Sequence, residues 1–173
     1  MRRPAIHEIF GSRKEPGLSD VLAGKMDWQE AVLESADFMM GGLDLNSLMH
    51  FPGIENLNIL NSGTTPGNII EIMDSSALTE LMEKLKAAFD VIIFDTPPAL
   101  LFVDSVILSK HCDGVVLVYK AGKIARGALK RAKDQITGVN ARMIGVVLNG
   151  VRASEMGPQY GSYSYDYKKY ARR

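Results

Sequence analysis

Apolar positions along the chain follow two periods, and the changes between them mark the elements. Over residues 76–89, Leu78, Leu81, Met82, Leu85 and Phe89 recur at helical spacing and form one stripe, which predicts a helix. Ser75 or Ser76 stands where it can cap the first turn. Val91-Ile92-Ile93-Phe94 is a continuous apolar run, the pattern of a strand covered on both faces. Residues 103–110 read as a helix and 115–119 as a β-branched strand after the Asp113-Gly114 turn. Residues 123–137 read as a helix and 143–148 as a third strand. Upstream, 17–24 reads as a short helix with Ser19 as cap and Gly24 as stop, and 27–35 as a second. Residues 39–53 are irregular, broken by Gly41-Gly42 and Pro52-Gly53. Leu57, Ile59 and Leu60 suggest a short strand ended by Asn61-Ser62-Gly63.

Strand, helix, strand, helix, strand is the order of an α/β protein with a mostly parallel sheet flanked by helices. Sites in such sheets lie at the carboxyl ends of the strands. That rule selects Asp95, Lys120-Ala121-Gly122 and Asn149.

Composition narrows the class. The chain has 173 residues, enough for one ordinary domain with a core. Twenty Lys and Arg balance twenty Asp and Glu, so the whole chain has no pull toward nucleic acid or an anionic membrane. No apolar run approaches the roughly 18 residues of a membrane span, and no apolar stretch follows the basic N-terminus as in a secretory signal. The lone Cys112 excludes an internal disulfide and points to a reducing, cytoplasmic setting. Cys112 reads as a small core residue, and His7, His50 and His111 lack any partner pattern and read as structural.

The candidate chemistry begins at Asp95. Four apolar residues ending in a carboxylate make a Walker B pattern, in which a rigid strand holds a carboxylate near nucleotide-bound Mg²⁺. By itself this run is equally the start of an ordinary turn. Thr96-Pro97-Pro98 then makes a stiff exit from the strand, because the prolines fix φ and remove two N–H donors. Asp104 follows nine residues after Asp95 and reads as a helix cap or salt-bridge partner. Five of the six tyrosines, Tyr160, Tyr163, Tyr165, Tyr167 and Tyr170, lie among Gly, Ser, Asp and Lys in the last 14 residues. No helical or strand period there buries them together, which predicts a flexible tail over 151–173.

Several stretches in order carry a resemblance. They are Arg2-Arg3-Pro4 with His7 and Phe10, Gly17-Leu18-Ser19-Asp20-Val21-Leu22-Ala23-Gly24, Ser62-Gly63 with Pro66 and Asn68, Asp95-Thr96-Pro97-Pro98, Gly145-Val146-Val147-Leu148-Asn149 and the tyrosine-rich tail. Together they resemble the bacterial tyrosine kinases (BY-kinases) of capsular and exopolysaccharide synthesis, in the deviant-Walker P-loop ATPase superfamily. The resemblance implies a P-loop kinase-like domain over 1–150 and ATP and Mg²⁺ as cofactors. It implies that Asp95 is catalytic and binds the metal, that Asn149 contacts the nucleotide, and that Arg2 and Arg3 meet phosphate or a neighbouring subunit. It makes the five tail tyrosines phosphoacceptors. An Asn-Gly pair after a strand is also an ordinary turn, and terminal arginines can be merely solvated. The implied partners are further copies of the chain, a membrane-embedded polysaccharide co-polymerase or activator and a tyrosine phosphatase, but no nucleic acid. The implied location is cytoplasmic, at the inner face of the cell membrane through a partner.

The departures are specific. No G-x-x-x-x-G-K-[ST] occurs, and Gly122-Lys123-Ile124 lacks the first glycine and the Ser/Thr of such a loop. The family's aspartates before Arg-Arg-Pro have no counterpart, since the chain begins at Met1. The chain is therefore expected to be a late-starting member without the first strand, P-loop, first helix and most of the second strand. A missing central strand predicts unpaired backbone groups beside the Asp95 strand and a marginal or partner-dependent fold. Gly67 departs from the family's Pro-Pro-Asn-Pro and predicts a looser loop. Two other functions stay open at this point: a non-catalytic regulator or phosphoacceptor modified in trans, and a partitioning-type positioning ATPase.

Overall fold

The structure is a computed structural model that describes residues 4–39, 52–65, 67–122 and 125–151. Arg2, Arg3, His50 and the five tail tyrosines lie outside the described residues. The fold is α/β and divides into two compact units, Met1–His111 and Cys112–Arg173.

The first unit contains short helices α1 (Ile6–Ile9), α2 (Leu18–Leu22) and α3 (Trp28–Ala31), strand β1 (Val32–Leu33) and helix α4 (Ser35–Met39). A 3₁₀ turn (Ile54–Asn56), strand β2 (Ile59–Leu60) and helices α5 (Ile69–Met73), α6 (Ser76–Ala88) and α7 (Asp104–Ser109) follow. The helix expected over 27–35 stops early. Its last residues leave the helix because Val32 and Leu33 pair antiparallel with Leu60 and Ile59. That ladder buries Leu33 and Ile59 against Ile6, Phe10 and Leu57, so tertiary pairing overrides the local helical pattern.

Helix α6 follows its sequence closely. The Ser75 side chain accepts the Leu78 N–H at 3.3 Å, and Leu78, Leu81, Met82 and Leu85 are all buried. Phe89 ends the helix and meets Trp28 edge-to-face, with ring centroids 5.8 Å apart. Loop 67–68 ends in a cap: Asn68 Oδ1 accepts the Glu71 N–H, and its Nδ2 donates to Glu71 Oε2 at 2.7 Å.

Residues 91–98 correct the sequence expectation. Val91 to Phe94 were expected as a strand buried on both faces, but they form no ladder among the described residues. Val91 is 75% exposed and Ile93 87% exposed, while Ile92 and Phe94 are half-buried. The segment has the apolarity of a central strand and only one side covered. Asp104 is the first residue of α7 rather than its cap, a position taken by Val103, and it is buried.

The second unit is one βαβ piece. Strand β3 (Val115–Lys120) runs parallel to β4 (Met143–Asn149), with Val116 opposite Gly145 and Lys120 opposite Asn149. Helix α8 (Arg126–Gly138) makes the crossover and turns Ala128, Ala132 and Ile136 inward. Parallel strands require such a crossover. Val116, Val118, Ile144, Val146, Val147 and Leu148 are each 45–67% exposed, so strands with the composition of a sheet interior are left largely uncovered. Cys112 is half-buried rather than a fully enclosed core residue.

Candidate functional site

Asp95 sits at the end of the Val91–Phe94 run, and its carboxylate is exposed. The loop after it is anchored from below. The Ser105 hydroxyl, on the first turn of α7, donates to the Pro97 carbonyl at 2.6 Å. The Pro98 carbonyl accepts the N–H groups of Leu101 at 3.0 Å and Phe102 at 3.1 Å. Two prolines cannot donate, so their carbonyls hold the turn and the exit from Asp95 has a fixed direction. Among the described residues no group of three or more His, Cys, Asp or Glu is placed to hold a metal.

Asn149 ends β4 opposite Lys120, and its backbone carbonyl accepts the Ala121 N–H at 2.9 Å. Gly122 and Gly150 follow with φ of 72° and 70°, a left-handed conformation that costs glycine little. Both chains therefore turn away directly after the paired residues, which leaves Lys120 and Asn149 exposed at the carboxyl edge of the sheet. Asp95 and Asn149 belong to different units. Arg2, Arg3 and the tail tyrosines cannot be placed, being outside the described residues.

The densest polar cluster was missed as a unit in the sequence. Asp20 stands at the third position of α2, and its Oδ2 reaches back to the Gly17 N–H at 3.1 Å, half of a capping box. The same oxygen accepts the Thr64 N–H at 3.3 Å, while Oδ1 accepts the Thr64 hydroxyl at 2.6 Å and Lys25 Nζ at 3.1 Å. The Thr64 hydroxyl foremost holds the Asp20 carboxyl down, from 3.8 to about 2; burial opposes this, and Lys25 and the two backbone donors add to it. Ser19 was expected to cap α2. It lies inside the helix instead, and its hydroxyl donates to the Thr64 carbonyl at 2.6 Å. Gly17 takes the cap position because no side chain fits there: a Cβ would collide with the Asn61 carbonyl and the Gly63 N–H. Asn61, 3% exposed, completes the clasp by donating to Arg13 O at 2.8 Å and Ser12 Oγ at 3.1 Å. The available signal was Gly17-Leu18-Ser19-Asp20 beside Ser62-Gly63-Thr64, two polar, glycine-bearing stretches that read separately as turns.

No protein-family model matches the chain. It is 31% identical to tyrosine-protein kinase YwqD of Bacillus subtilis over 163 residues, which is 94% of this chain and 61% of YwqD. It is 31% identical to tyrosine-protein kinase CpsD of Streptococcus agalactiae over 145 residues, 84% of this chain and 62% of CpsD. The chain thus spans about three-fifths of the length of these relatives. Among solved structures, the kinase domain of VpsO superposes with a TM-score of 0.72 at 28% identity, over 87% of this chain and 66% of that one. The kinase domain of Escherichia coli tyrosine kinase ETK superposes with a TM-score of 0.73 at 25% identity, over 87% and 52%. The sequence likeness to tyrosine-protein kinases extends over 84–94% of the chain and the architecture shared with kinase domains over 87% of it, so the chain is similar to bacterial tyrosine kinases over most of its length.

Proposed function

We propose that the chain is the C-terminal portion of a bacterial protein-tyrosine kinase domain. In its complete form the domain moves the γ-phosphate of ATP to Tyr160, Tyr163, Tyr165, Tyr167 and Tyr170 and so regulates capsular or exopolysaccharide synthesis. The observation that carries this reading is the likeness to named tyrosine kinases over 94% of the chain. The reading places the chain on the cytoplasmic side, working through self-association, a membrane-embedded activator and an opposing phosphatase. Among the described residues no helix is long and apolar enough to cross a membrane.

Within this reading Asp95 has two roles. Its exposed carboxylate offers one oxygen ligand, which suits Mg²⁺, an ion that keeps several waters and takes the rest of its shell from substrate phosphates. Held by the Ser105–Pro97 anchor, the same carboxylate orients the accepting tyrosine hydroxyl. Asn149 contacts the adenine from the carboxyl edge of β4, and Arg2 and Arg3 meet phosphate. Mg²⁺ and ATP would supply the charge neutralisation and the phosphoryl group. The 173 residues contain no G-x-x-x-x-G-K-[ST], so the purified chain by itself is expected not to turn over ATP. A second reading has the chain as a non-catalytic phosphoacceptor modified in trans.

Incubation with an active tyrosine kinase of the family, Mg²⁺ and ATP tests the shared core of both readings by mass spectrometry. Phosphate on two or more tail tyrosines is expected, and an unmodified tail overturns the assignment of phosphoacceptors. Supplying the missing part of the domain as a separate polypeptide then separates the two. ATP-dependent tail phosphorylation that is lost in Asp95→Asn supports the kinase portion, and silence supports the acceptor.

A further inference from the structure

The zero net charge of the chain conceals a division. Met1–His111 carries eight Lys and Arg against sixteen Asp and Glu, whereas Cys112–Arg173 carries twelve against four. The second unit is therefore strongly basic, and its described residues show where. Helix α8 bears Arg126, Lys130, Arg131 and Lys133 with Asp134 as its one acid. Lys130, Arg131 and Lys133 are exposed, as is Lys120 at the end of β3. Among the described residues none of these four takes part in an ion pair.

The topology of the unit puts this charge where the tail leaves. Because β3 and β4 run parallel, α8 begins at the end of the sheet where both strands finish. Lys120 lies opposite Asn149, two residues before Val151. The Arg131 guanidinium runs back along the helix to Gly127, 3.7 Å from where a Cβ of that residue would stand, so it too leans toward this end. Helix α8 has 13 residues and is about 20 Å long. Tyr160 is nine positions after Val151, an extended reach of about 30 Å.

We propose that the basic face of α8, with Lys120, is a docking site for the chain's own C-terminal tail when the tail tyrosines carry phosphate. The proposal rests on the reading of these tyrosines as phosphoacceptors. From Val151 the tail has five basic and two acidic side chains, so unmodified it is repelled by α8. Each phosphate adds about −1.5 to −2 charge, and two or more reverse the sign of the tail. Arg131 provides a planar fork that pairs bidentately with phosphate, and the lysines provide point charges. Covalent attachment at the end of β4 raises the effective concentration of the tail over this helix far above that of a free peptide. Phosphorylation would then convert the segment after Val151 from one that avoids α8 to one that covers it.

The test uses the full chain and synthetic peptides of residues 156–173, with no phosphate or with phosphotyrosine at positions 160, 163 and 165. Binding is followed by fluorescence anisotropy at two salt concentrations. The phosphopeptide is expected to bind at least about tenfold more tightly than the plain peptide, with the difference shrinking as salt rises. The combined change Lys130→Glu, Arg131→Glu, Lys133→Glu should abolish that difference. The milder Lys130→Gln, Lys133→Gln should reduce it, and the charge-matched control Lys84→Gln, Lys86→Gln should leave it unchanged. Circular dichroism confirms that each variant retains its helix content. Equal binding of the two peptides, or phosphopeptide binding indifferent to all α8 changes, overturns the proposal. So does α8-dependent binding to phosphatidylserine vesicles that the phosphopeptide does not displace, which would assign the face to a membrane instead. The phosphate is put on by synthesis, so a failure here is separate from failure of the trans-phosphorylation experiment.

Discussion

The hydroxyl of Thr64 donates to the Asp20 carboxylate at 2.6 Å across 44 residues of sequence, while the Thr64 carbonyl accepts from the neighbouring Ser19. One threonine thereby joins the start of α2 to the turn after β2. A five-residue helix is too short to be stable by itself. Its N–H groups and acidic side chain are held by the 61–64 loop, and the loop is held by the helix. The arrangement has a direct consequence for the acid limb of stability.

Asp20 is ionised in the folded chain at a pH where it would be protonated in the unfolded one. Its folded value is depressed from 3.8 to about 2. Its stabilising contribution is therefore complete above pH 3.8 and lost as pH falls through about 2. It amounts to about 2 kcal/mol. Thermal melts from pH 6 to pH 2 should show this loss in the wild-type chain and a flatter profile in Asp20→Asn. Thr64→Val should also lower stability at neutral pH, by about 1–3 kcal/mol, since it leaves the buried carboxylate short of a donor.

Two glycines in the clasp are expected to be irreplaceable, and a third freely replaceable. A Cβ on Gly17 would strike the backbone of Asn61 and Gly63, and one on Gly63, at φ 73°, would strike Asp20 and Ser19. Gly17→Ala and Gly63→Ala should each cost about 1–3 kcal/mol or more in chemical denaturation. Gly138, at the end of α8, has nothing within 4 Å of the added carbon and no positive φ. Gly138→Ala should stabilise by about 0.5–1 kcal/mol.

Leu78 is the one large side chain among the described residues with essentially no exposure. Leu78→Ala should cost about 2–5 kcal/mol, the range for a cavity that the surroundings fill only partly. Leu78→Met conserves volume and should cost less than about 1.5 kcal/mol. If the two losses were equal in urea titrations, the close packing described around α6 would be refuted.

The uncovered apolar segments predict poor colloidal behaviour. Val91, Ile93, Val118, Ile144 and Leu148 are all more than half exposed, and such surface promotes association. The purified chain should bind a hydrophobic dye and sediment as concentration-dependent oligomers. Ile93→Lys and Val118→Lys should weaken both signals without lowering the free energy of unfolding by more than about 0.5 kcal/mol, because neither side chain is packed. A dye-silent, monodisperse wild-type chain would contradict this account.

Much of the architecture was determined by the sequence itself, wherever a local pattern and its tertiary role agree. The apolar stripe of α6 and its Ser75 cap, the β-branched run of β3, the crossover helix and β4 all lie close to their expected places, because each pattern is satisfied by a single covered face or by an adjacent strand. The position of Asp95 after an apolar run and before two prolines was equally legible. Tertiary structure decided the rest. Val32 and Leu33 left a helical pattern because a partner strand offered its ladder. Val91 to Phe94 have the composition of a central strand but pair with no described residue, since apolarity specifies a wish for burial and cannot supply the neighbour. Asp20, Thr64 and Gly17 became one clasp only through a contact spanning 44 residues, and no local period records which distant donor a carboxylate will meet. The opposite charges of the two units became visible only when the boundary between His111 and Cys112 was known, because a sum over the whole chain cancels them.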